Sequence, residues 1–496
     1  MGKYWPVGVA IALALIPVSA AIGQTSAPLS QQQPAPAETP DMLRLEGTQA
    51  VPITLEELIE LTLQGNRDLR DQQLQRIVQR QQLAAAEQAF DPRLTPNLSI
   101  GLTQEFSETS DGEDTFFDES AALNAELATR IGTRLRVGVD PLDEQLVDLT
   151  VTQPLLRGFG RRVNEAPVEQ ARLAEAGNQL ALRQQVIDTV TRTVTQYTAL
   201  IQAQESVKIQ AQALERRRRE LERQTALVRA GRVAGVSLLD GERLVANAER
   251  QLIAAQNTLA TANTDLLNLV GTDRGIQFIA QLATVERLFA AAMERTAGFD
   301  LQQLIDQAYQ VNPALLRQQI QQQSRQLSLV VAEDNLRWQL NLESNTDLGD
   351  FSRSRLGLVA TRQFDDPALE TQRVSSEVAV RRGDNALAQQ RERIRNEVTN
   401  RLLDVRSNRA QVDAATQARE SAEARLEVTR ARFRQGEATS FEVSTQEENL
   451  VDAQNAELTA RINFLNSIAR LDQTVGITLE SWQDRVDFTP TLEALP

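Results

Sequence analysis

Apolar residues recur at every seventh position in three long segments of this 496-residue chain. The rows are Leu173, Leu180, Ile187, Val194 and Ile201; then Leu238, Val245, Leu252, Leu259 and Leu266; then Val398, Val405, Val412, Leu426 and Phe433, with Arg419 interrupting the third. Helices with a seven-residue apolar repeat pack against partner helices as coiled coils. The pattern therefore predicts long paired helices, and an aromatic content of only 4% also argues against a thick globular core.

Two glycines interrupt these helical patterns at equivalent places. Gly231 lies in the segment LVRAGRVAGVSLLDGE, and Gly436 lies in the segment RFRQGEATSFEVSTQE. Glycine permits the positive φ that ends a helix. Each long helix is therefore expected to fold back at its glycine and to form a coiled-coil hairpin with the next helix.

The chain contains one order of segments twice. TLEELIELTLQGNRDL, which begins at Thr54, is echoed by DLQQLIDQAYQVNPAL, which begins at Asp300, and both first residues suit a helix N-cap. Each copy continues through a second helix, strands, a very long helix, a glycine turn and a long helix that ends on Val-Gly. This order predicts an internal tandem duplication.

The duplication divides the chain into consecutive parts. We expect a first repeat at residues 53–275 with strands at about 94–156, a linker at 276–298, a second repeat at 299–480 with strands at about 337–364, and a C-terminal tail at 481–496.

Period-two alternation marks the strands. Four main strands have apolar faces made by Leu98, Ile100 and Leu102; Val147, Leu149 and Val151; Trp338, Leu340 and Leu342; and Leu356, Leu358 and Ala360. An additional alternating segment from Leu123 to Val139 is interpreted as a hairpin that turns near Gly132 and has no counterpart in the second repeat.

Strands with one apolar face fit either a soluble sandwich or a lipid-facing barrel. Four main strands are too few to bury both edges of a sheet, and open edges do not occur in lipid, where the smallest barrels need about eight strands. If the strands meet lipid, several chains must therefore share one barrel.

The N-terminus has the layout of a secretory signal peptide over residues 1–23, with one lysine, an apolar run and small residues before Gln24. A retained membrane anchor is the alternative, although the run is shorter than the ~20 residues of a spanning helix. Residues 24–52, which begin with a Gln/Pro/Ala/Ser stretch, are expected to form a flexible leader.

Charge and residue usage exclude several classes of function. The net charge is -15 and basic residues are scattered, which argues against nucleic acid as a partner. The four arginines between Glu215 and Glu220 are interpreted as a solvated helix face. Because the chain has no Cys and no His, we expect no enzyme, no catalytic or metal-binding residues and no cofactor of the usual zinc, haem or iron–sulfur types.

The repeated LEELIELTLQGN opening, the segment QPLLRGFGRR and the two glycine turns together resemble the TolC-like outer-membrane efflux channels. The resemblance covers residues 54–478. It implies a mainly α fold with a small β part. Three identical chains would form one β-barrel in outer-membrane lipid as a homotrimer, and each chain would contribute four strands. A long coiled-coil α-helical barrel would continue it into the periplasm.

The same resemblance implies a function and partners. The chain would be the passive exit duct of a tripartite efflux or type I secretion system, served by a periplasmic adaptor protein and an inner-membrane pump of the RND, ABC or MFS class. The alternative is a periplasmic or surface coiled-coil scaffold without a pore, and a periplasmic adaptor is a third possibility.

The resemblance also assigns roles to individual residues. The barrel-to-helix corner would lie at Pro154, which ends sheet pairing, and at Gly158 and Gly160, which allow the bend. The hairpin tips at Gly231 and Gly436 would contact the adaptor.

The narrow periplasmic entrance would contain residues that follow the second glycine turn. Glu442 falls on an acidic position of the family, Thr445 occupies a second such position, and Asp240 is its counterpart in the first repeat. Phe433 aligns with a tyrosine that helps to close the entrance. For Glu442, an equally open interpretation is a helix-start carboxylate that only favours the helix dipole.

Overall fold

The computed structural model describes residues 48–105, 114–140, 147–231, 235–272, 275–347, 354–362 and 366–492. The chain divides into a unit Met1–Thr39 and a unit Pro40–Pro496. The first unit, including the expected signal peptide at 1–23, lies outside the described residues. All elements below belong to the second unit.

Both repeats contain the expected order of helices and strands, and the linker contains a strand and a helix that the sequence pattern did not indicate. The first repeat contains β1 (Gln49–Ile53), α1 (Leu55–Gly65), α2 (Arg67–Glu87), β2 (Arg93–Glu105), β3 (Asp114–Ala128), β4 (Arg134–Val139), β5 (Val147–Pro154), α3 (Arg161–Asn164), α4 (Ala166–Arg229) and α5 (Val236–Val270). The linker contains β6 (Ile276–Ala280) and α6 (Leu282–Thr296). The second repeat contains α7 (Leu301–Val311), α8 (Pro313–Asn335), β7 (Gln339–Asp347), β8 (Ser354–Thr361), α9 (Pro367–Arg434), α10 (Ser440–Val475) and α11 (Thr478–Trp482), and α12 (Thr489–Leu492) follows in the tail.

The leader ends earlier than the sequence suggests. Residues 49–52 were expected to be flexible, but they lie in β1, which pairs in parallel with β6 of the linker. Ile53 at the end of β1 is buried, and the Tyr197 hydroxyl donates a hydrogen bond of 3.1 Å to its carbonyl oxygen. Burial raises the pKa of Tyr197 to about 12. The sequence pattern does not indicate this five-residue strand, because its partner β6 lies more than two hundred residues away.

The heptad rows form the cores of two helical hairpins, α4 with α5 and α9 with α10. The buried row positions are Ile187, Val194, Ile201, Leu259, Leu266, Val398, Val405, Val412 and Leu426. α4 has 64 residues and α9 has 68, so each is about 100 Å long at 1.5 Å per residue. The heptad-based prediction of long paired helices is thus confirmed.

Arg419 interrupts the third row because it bonds to a buried carboxylate of the facing helix. Its Nε lies 2.6 Å from Oε2 of Glu457 on α10, and Arg461 lies 2.6 Å from the other carboxylate oxygen. Thr416 donates a third hydrogen bond, of 3.1 Å, to this group. Arg419 therefore neutralises the buried Glu457 carboxylate instead of adding an apolar side chain to the contact between α9 and α10.

The two repeats begin and end with the same local contacts. Thr54 caps α1 through a capping box, and the Asp300 carboxylate accepts a hydrogen bond from the Gln303 N–H at the start of α7. Asn66 caps α2 and donates its amide to the Leu269 carbonyl, as Asn312 caps α8 and donates to Thr474. These equivalent contacts attach each short helix to the end of its long hairpin.

The contact between α1 and α5 leaves no room for side chains. A Cβ on Gly65 would lie well inside the 3.0 Å limit of real Cβ contacts from the Val270 carbonyl oxygen, and a Cβ on Gly271 would lie 2.5 Å from the Gly65 carbonyl oxygen. Gly271 also has a φ of 76°, which ends α5 in the left-handed region. The two backbones therefore meet directly.

A buried ion pair joins α2 to α4. Arg76 and Glu175 form a bidentate pair, with Nη1 of Arg76 at 2.7 Å from Oε2 of Glu175, and both residues are buried. Gln179 donates a further hydrogen bond of 3.1 Å to the carboxylate. The Arg76 hydrogen bonds hold the pKa of Glu175 below its usual value.

Among the described helices, none has an apolar run long enough for a membrane crossing.

Candidate functional site: the amphipathic sheet and the hairpin tips

Six strands form one antiparallel sheet in the order β2-β3-β4-β5-β7-β8. The sequence left the position of the additional hairpin open. The structure inserts it between β2 and β5, and its first arm, β3, begins at Asp114, before the expected start at Leu123. The sheet therefore has six strands, where the resemblance implies four from each chain.

One face of this sheet is mainly apolar, although Gln153 of β5 and Ser344 and Thr346 of β7 also lie on it. The register aligns Leu94 with Ala125, Ala125 with Val137, and Val137 with Leu149. Further along, Leu342 aligns with Leu358. Apolar side chains on this face are exposed in the single chain, with Leu98 and Ile100 each 82% exposed and Leu356 72% exposed. An exposed apolar surface of this kind marks a site that another apolar phase covers.

The opposite face is polar. It carries Asn97 and Ser99 on β2, Asn124 and Glu126 on β3, Arg134 and Arg136 on β4, Thr150 and Thr152 on β5, and Asn341, Glu343 and Asn345 on β7. Arg136 and Glu126 form a cross-strand ion pair at 3.7 Å. A sheet with one apolar and one polar face can separate lipid from water.

The outermost strands have unused edges. Within the described residues, β2 pairs only with β3, and β8 pairs only with β7. Backbone N–H and C=O groups on such edges need partners, and a second copy of the same sheet can supply them.

The corner between β5 and the helices is held by hydrogen bonds. Gly158 and Gly160 have φ values of 78° and 102°. The Gly158 N–H donates a hydrogen bond of 2.7 Å to Oδ2 of Asp334 on α8, and the Asn164 amide donates to both glycine carbonyls. Glycine is required here because other residues rarely adopt these angles.

Pro154 does not end the sheet pairing as the resemblance implied. It is the last residue of β5 and is aligned with Asn341 of β7. Beyond it, the Leu155 N–H still donates a hydrogen bond of 2.7 Å to the Leu340 carbonyl. Pairing continues because proline lacks only its own N–H donor.

The hairpin tips are exposed glycine turns. Gly231 follows α4 with a φ of 71°, and Gly436 follows α9 with a φ of 81°, and neither has an atom within 4 Å of where a Cβ would lie. Phe441, next to the second tip, has an exposed fraction of 78%. Both tips thus present open surface.

Glu442 participates in a capping box. Its carboxylate accepts a hydrogen bond of 2.7 Å from the Thr439 N–H, and its own N–H donates one of 3.2 Å to Oγ1 of Thr439. The side chain nevertheless remains exposed. The capping contact and a role at an entrance are therefore compatible.

The other expected entrance residues divide into two groups. Asp240 and Thr445 line one groove between α4, α5 and α10, where Asp240 lies 4.0 Å from Arg243. Glu442 does not line this groove. Phe433 packs against the small apolar cluster of Leu426, Val443 and Leu450 inside its own hairpin.

A buried carboxylate near the tips is not indicated by the sequence pattern. Glu447 on α10 is 4% exposed and lies 2.7 Å from Arg430 of α9 and 3.5 Å from Arg217 of α4. Arg217 also donates hydrogen bonds to Ser444. The arginine run is therefore only partly a solvated face, and burial lowers the pKa of Arg216. Glu447 lies in the segment quoted for the second turn, but the pattern there does not show that α4 packs against it.

Within the described part of the chain, no three Asp or Glu side chains come together as a candidate metal site.

Comparisons with known proteins agree with this geometry. The family described as outer membrane efflux protein matches residues 58–272. No curated protein was found to match the chain in sequence. Among solved structures, CusC, which is described as forming a transmembrane channel, has a TM-score of 0.64 and 16% identity, covering 85% of this chain and 91% of that one.

Two further structures have similar scores. The outer membrane protein VceC from Vibrio cholerae has a TM-score of 0.62 and 15% identity over 85% of this chain and 96% of its own. The Campylobacter jejuni outer membrane channel CmeC has a TM-score of 0.62 and 12% identity over 87% and 90%. The expected resemblance and the mainly α fold class with a small β part are confirmed.

Proposed function

We propose that this chain, whose residues 58–272 match the outer membrane efflux protein family, forms the outer-membrane channel of a tripartite efflux or type I secretion system. The observation that carries the proposal is the six-stranded sheet with one apolar and one polar face. The apolar face contacts outer-membrane lipid and the polar face lines a water-filled lumen. The channel is a passive duct, and an inner-membrane pump supplies energy and selection.

The open edges of β2 and β8 support a barrel that is shared between copies of the chain, and the resemblance to TolC-like channels gives the number of copies as three. One six-stranded sheet is smaller than the smallest transmembrane barrels, which have about eight strands. Pairing β8 of one chain with β2 of the next closes the barrel and leaves no edge in lipid. The long hairpins of the three chains then enclose the periplasmic part of the duct.

The exposed hairpin tips support docking of a periplasmic adaptor. Gly231 and Gly436 form the turns, and the neighbouring Val236 and Phe441 are 70% and 78% exposed. Exposed apolar side chains at a polar helix end favour burial against a partner protein. The pump behind that adaptor belongs to the RND, ABC or MFS class.

Assembly in the outer membrane is the first test. The mature chain is expected in the outer-membrane fraction as a trimer that dissociates on heating. Leu98→Arg is expected to prevent assembly, because a lipid-facing arginine costs about 2–4 kcal/mol in each chain near the bilayer centre. The matched control Ser99→Arg, on the lumen face, is expected to assemble normally. A soluble periplasmic monomer would instead support the scaffold alternative.

The entrance is tested through Glu442. Three copies of this exposed carboxylate near a threefold axis are expected to favour cations. Glu442→Gln keeps the capping box, because glutamine can accept the same hydrogen bond, and removes only the charge. Reduced cation preference in planar bilayers is expected, whereas Glu215→Gln in α4 is expected to have no effect. Equal effects of both substitutions would assign selectivity to diffuse acidity, and no effect of either would make Asp240 the next candidate.

A further inference from the structure

We propose that the hairpin of β3 and β4 is built into the barrel wall, so that three chains close a barrel of eighteen strands. This inference rests on the proposed trimeric channel and assigns it a cargo class: solutes too wide for a barrel with four strands from each chain.

The pairing of the sheet is continuous through the hairpin. β2 pairs with β3 from Arg93 to Glu105, β3 pairs with β4, and β4 pairs with β5 over six positions, from Arg134 with Thr152 to Val139 with Val147. β2 and β5 are therefore separated by two strands and do not pair with each other. If the hairpin lay outside the wall, the β2–β3 and β4–β5 pairings would both be lost, and β2 would have to pair directly with β5.

The hairpin continues both faces of the sheet. Leu127, Leu135 and Val151 are aligned on the apolar face, as are Leu123, Val139 and Val147. On the polar face, Glu126 is aligned with Arg136 and Arg136 with Thr150. A hairpin that lay outside the wall in water would gain nothing from an apolar face in register with its neighbours.

The turn between β3 and β4 is anchored at the corner that joins the barrel to the helices. The Gly160 N–H donates a hydrogen bond of 3.0 Å to the Ile131 carbonyl, and Arg130 lies 3.6 Å from Glu165. Gly132 has a φ of 100°, and a side chain there would collide with the Gly158 carbonyl. The hairpin therefore starts at the same level as the other strands and rises beside them.

The additional strands widen the lumen. Barrel diameter grows roughly in proportion to strand number, so eighteen strands give a diameter about 1.5 times that of twelve, and a cross-section about twice as large. Barrels of sixteen to eighteen strands enclose an open aqueous channel. The wall at the outer membrane would then admit bulkier solutes than a twelve-stranded exit.

Thiol labelling tests the proposal, because the chain has no cysteine of its own. In reconstituted trimers, Arg136→Cys should react with a charged, water-soluble maleimide and lose conductance, whereas Val137→Cys should react only with a lipid-soluble maleimide. Ser99→Cys and Leu98→Cys on β2 provide the matched pair for a strand that lies in the wall in either case.

Each labelling pattern has a distinct meaning. If residues 136 and 137 both react with the water-soluble reagent while 98 and 99 keep their difference, the hairpin lies outside the wall and the proposal is overturned, although the channel function stands. If residues 98 and 99 also react alike, the sheet does not face lipid and the proposed function itself fails.

A deletion provides a second measurement. Removing residues 98–138 leaves residues 139–146 to join Asn97 to Val147, which lie at nearly the same level of the sheet because Pro96, Leu123, Val139 and Val147 are aligned. The lumen of the variant barrel should have about half the wild-type cross-section. It should therefore exclude neutral polyethylene glycols that enter the wild-type barrel from the extracellular side. An unchanged size cutoff would overturn the proposal. If this variant does not assemble, the labelling result decides.

Discussion

Gly65→Ala is expected to prevent the chain from assembling. The added Cβ would collide with the Val270 carbonyl oxygen, which belongs to the backbone and so cannot rotate away as a flexible side chain can. Val270 itself is buried, and the following Gly271 lies against the Gly65 carbonyl. Overpacking usually costs about 1–3 kcal/mol, and a clash with a backbone carbonyl that cannot rotate away places this variant at or above the upper end.

Gly177→Ala is the matched control for Gly65→Ala. Gly177 also lies in a helix, α4, but a Cβ there would be 3.9 Å from Ile320, in ordinary van der Waals contact. Alanine is the better helix former by roughly 0.5–1 kcal/mol, so this variant is expected to be as stable as the wild type or slightly more stable. Thermal dissociation of the trimer measures both variants. Equal midpoints for the two alanine variants would show that α1 and α5 can separate without cost.

Arg76→Met is expected to destabilise the chain by about 3–5 kcal/mol, because it leaves the Glu175 carboxylate buried without its cation. The double variant Arg76→Met/Glu175→Met should recover most of the loss, since it removes both charges. Arg381→Met provides a control, because Arg381 makes an exposed pair with Glu377 at 2.6 Å. Pairs of that kind contribute about 0–1 kcal/mol.

The Arg76–Glu175 pair also predicts a dependence on pH. The pKa of Glu175 is lowered from 4.5 in the folded chain, so the unfolded chain takes up the proton first as pH falls. The stabilisation is therefore complete above about pH 4.5 and is lost as pH falls through the folded pKa. The double methionine variant should lack this loss. If wild type and double variant show the same acid dependence of thermal dissociation, other carboxylates determine it.

Helix arrangement could be predicted from the sequence because its signals are local. The seven-residue rows, the cap residues Thr54 and Asp300, and the turns at Gly231 and Gly436 each constrain neighbouring positions only. A helix closes its hydrogen bonds within four residues, so its sequence carries most of the information about it.

Strand pairing could not be predicted in the same way. A period of two shows which residues share a face, but it does not show which strand lies beside which. The alternation around Leu123 identified a hairpin and its turn, yet its insertion between β2 and β5 depends on register across the sheet. β1 was missed for the same reason, since its partner β6 lies in the linker.

Charged residues of the candidate site were similarly hard to assign. The arginine run beside Glu215 has the pattern of a solvated face, and Arg218 and Arg219 do make exposed ion pairs. Arg217 instead bonds to Glu447 across two helices that are far apart in sequence. The contact of Glu442 is local by comparison, because the three-residue spacing from Thr439 to Glu442 is enough to predict the capping box.

The parallel pairing of β1 with β6 has a consequence for biosynthesis. β1 cannot pair until residue 280 has reached the same compartment, and that residue lies more than two hundred positions further along the chain. During that interval a short apolar strand is exposed to mispairing with other nascent chains. Pro52, near its centre, lacks an N–H donor and so makes the strand a poorer template for aggregation while it waits.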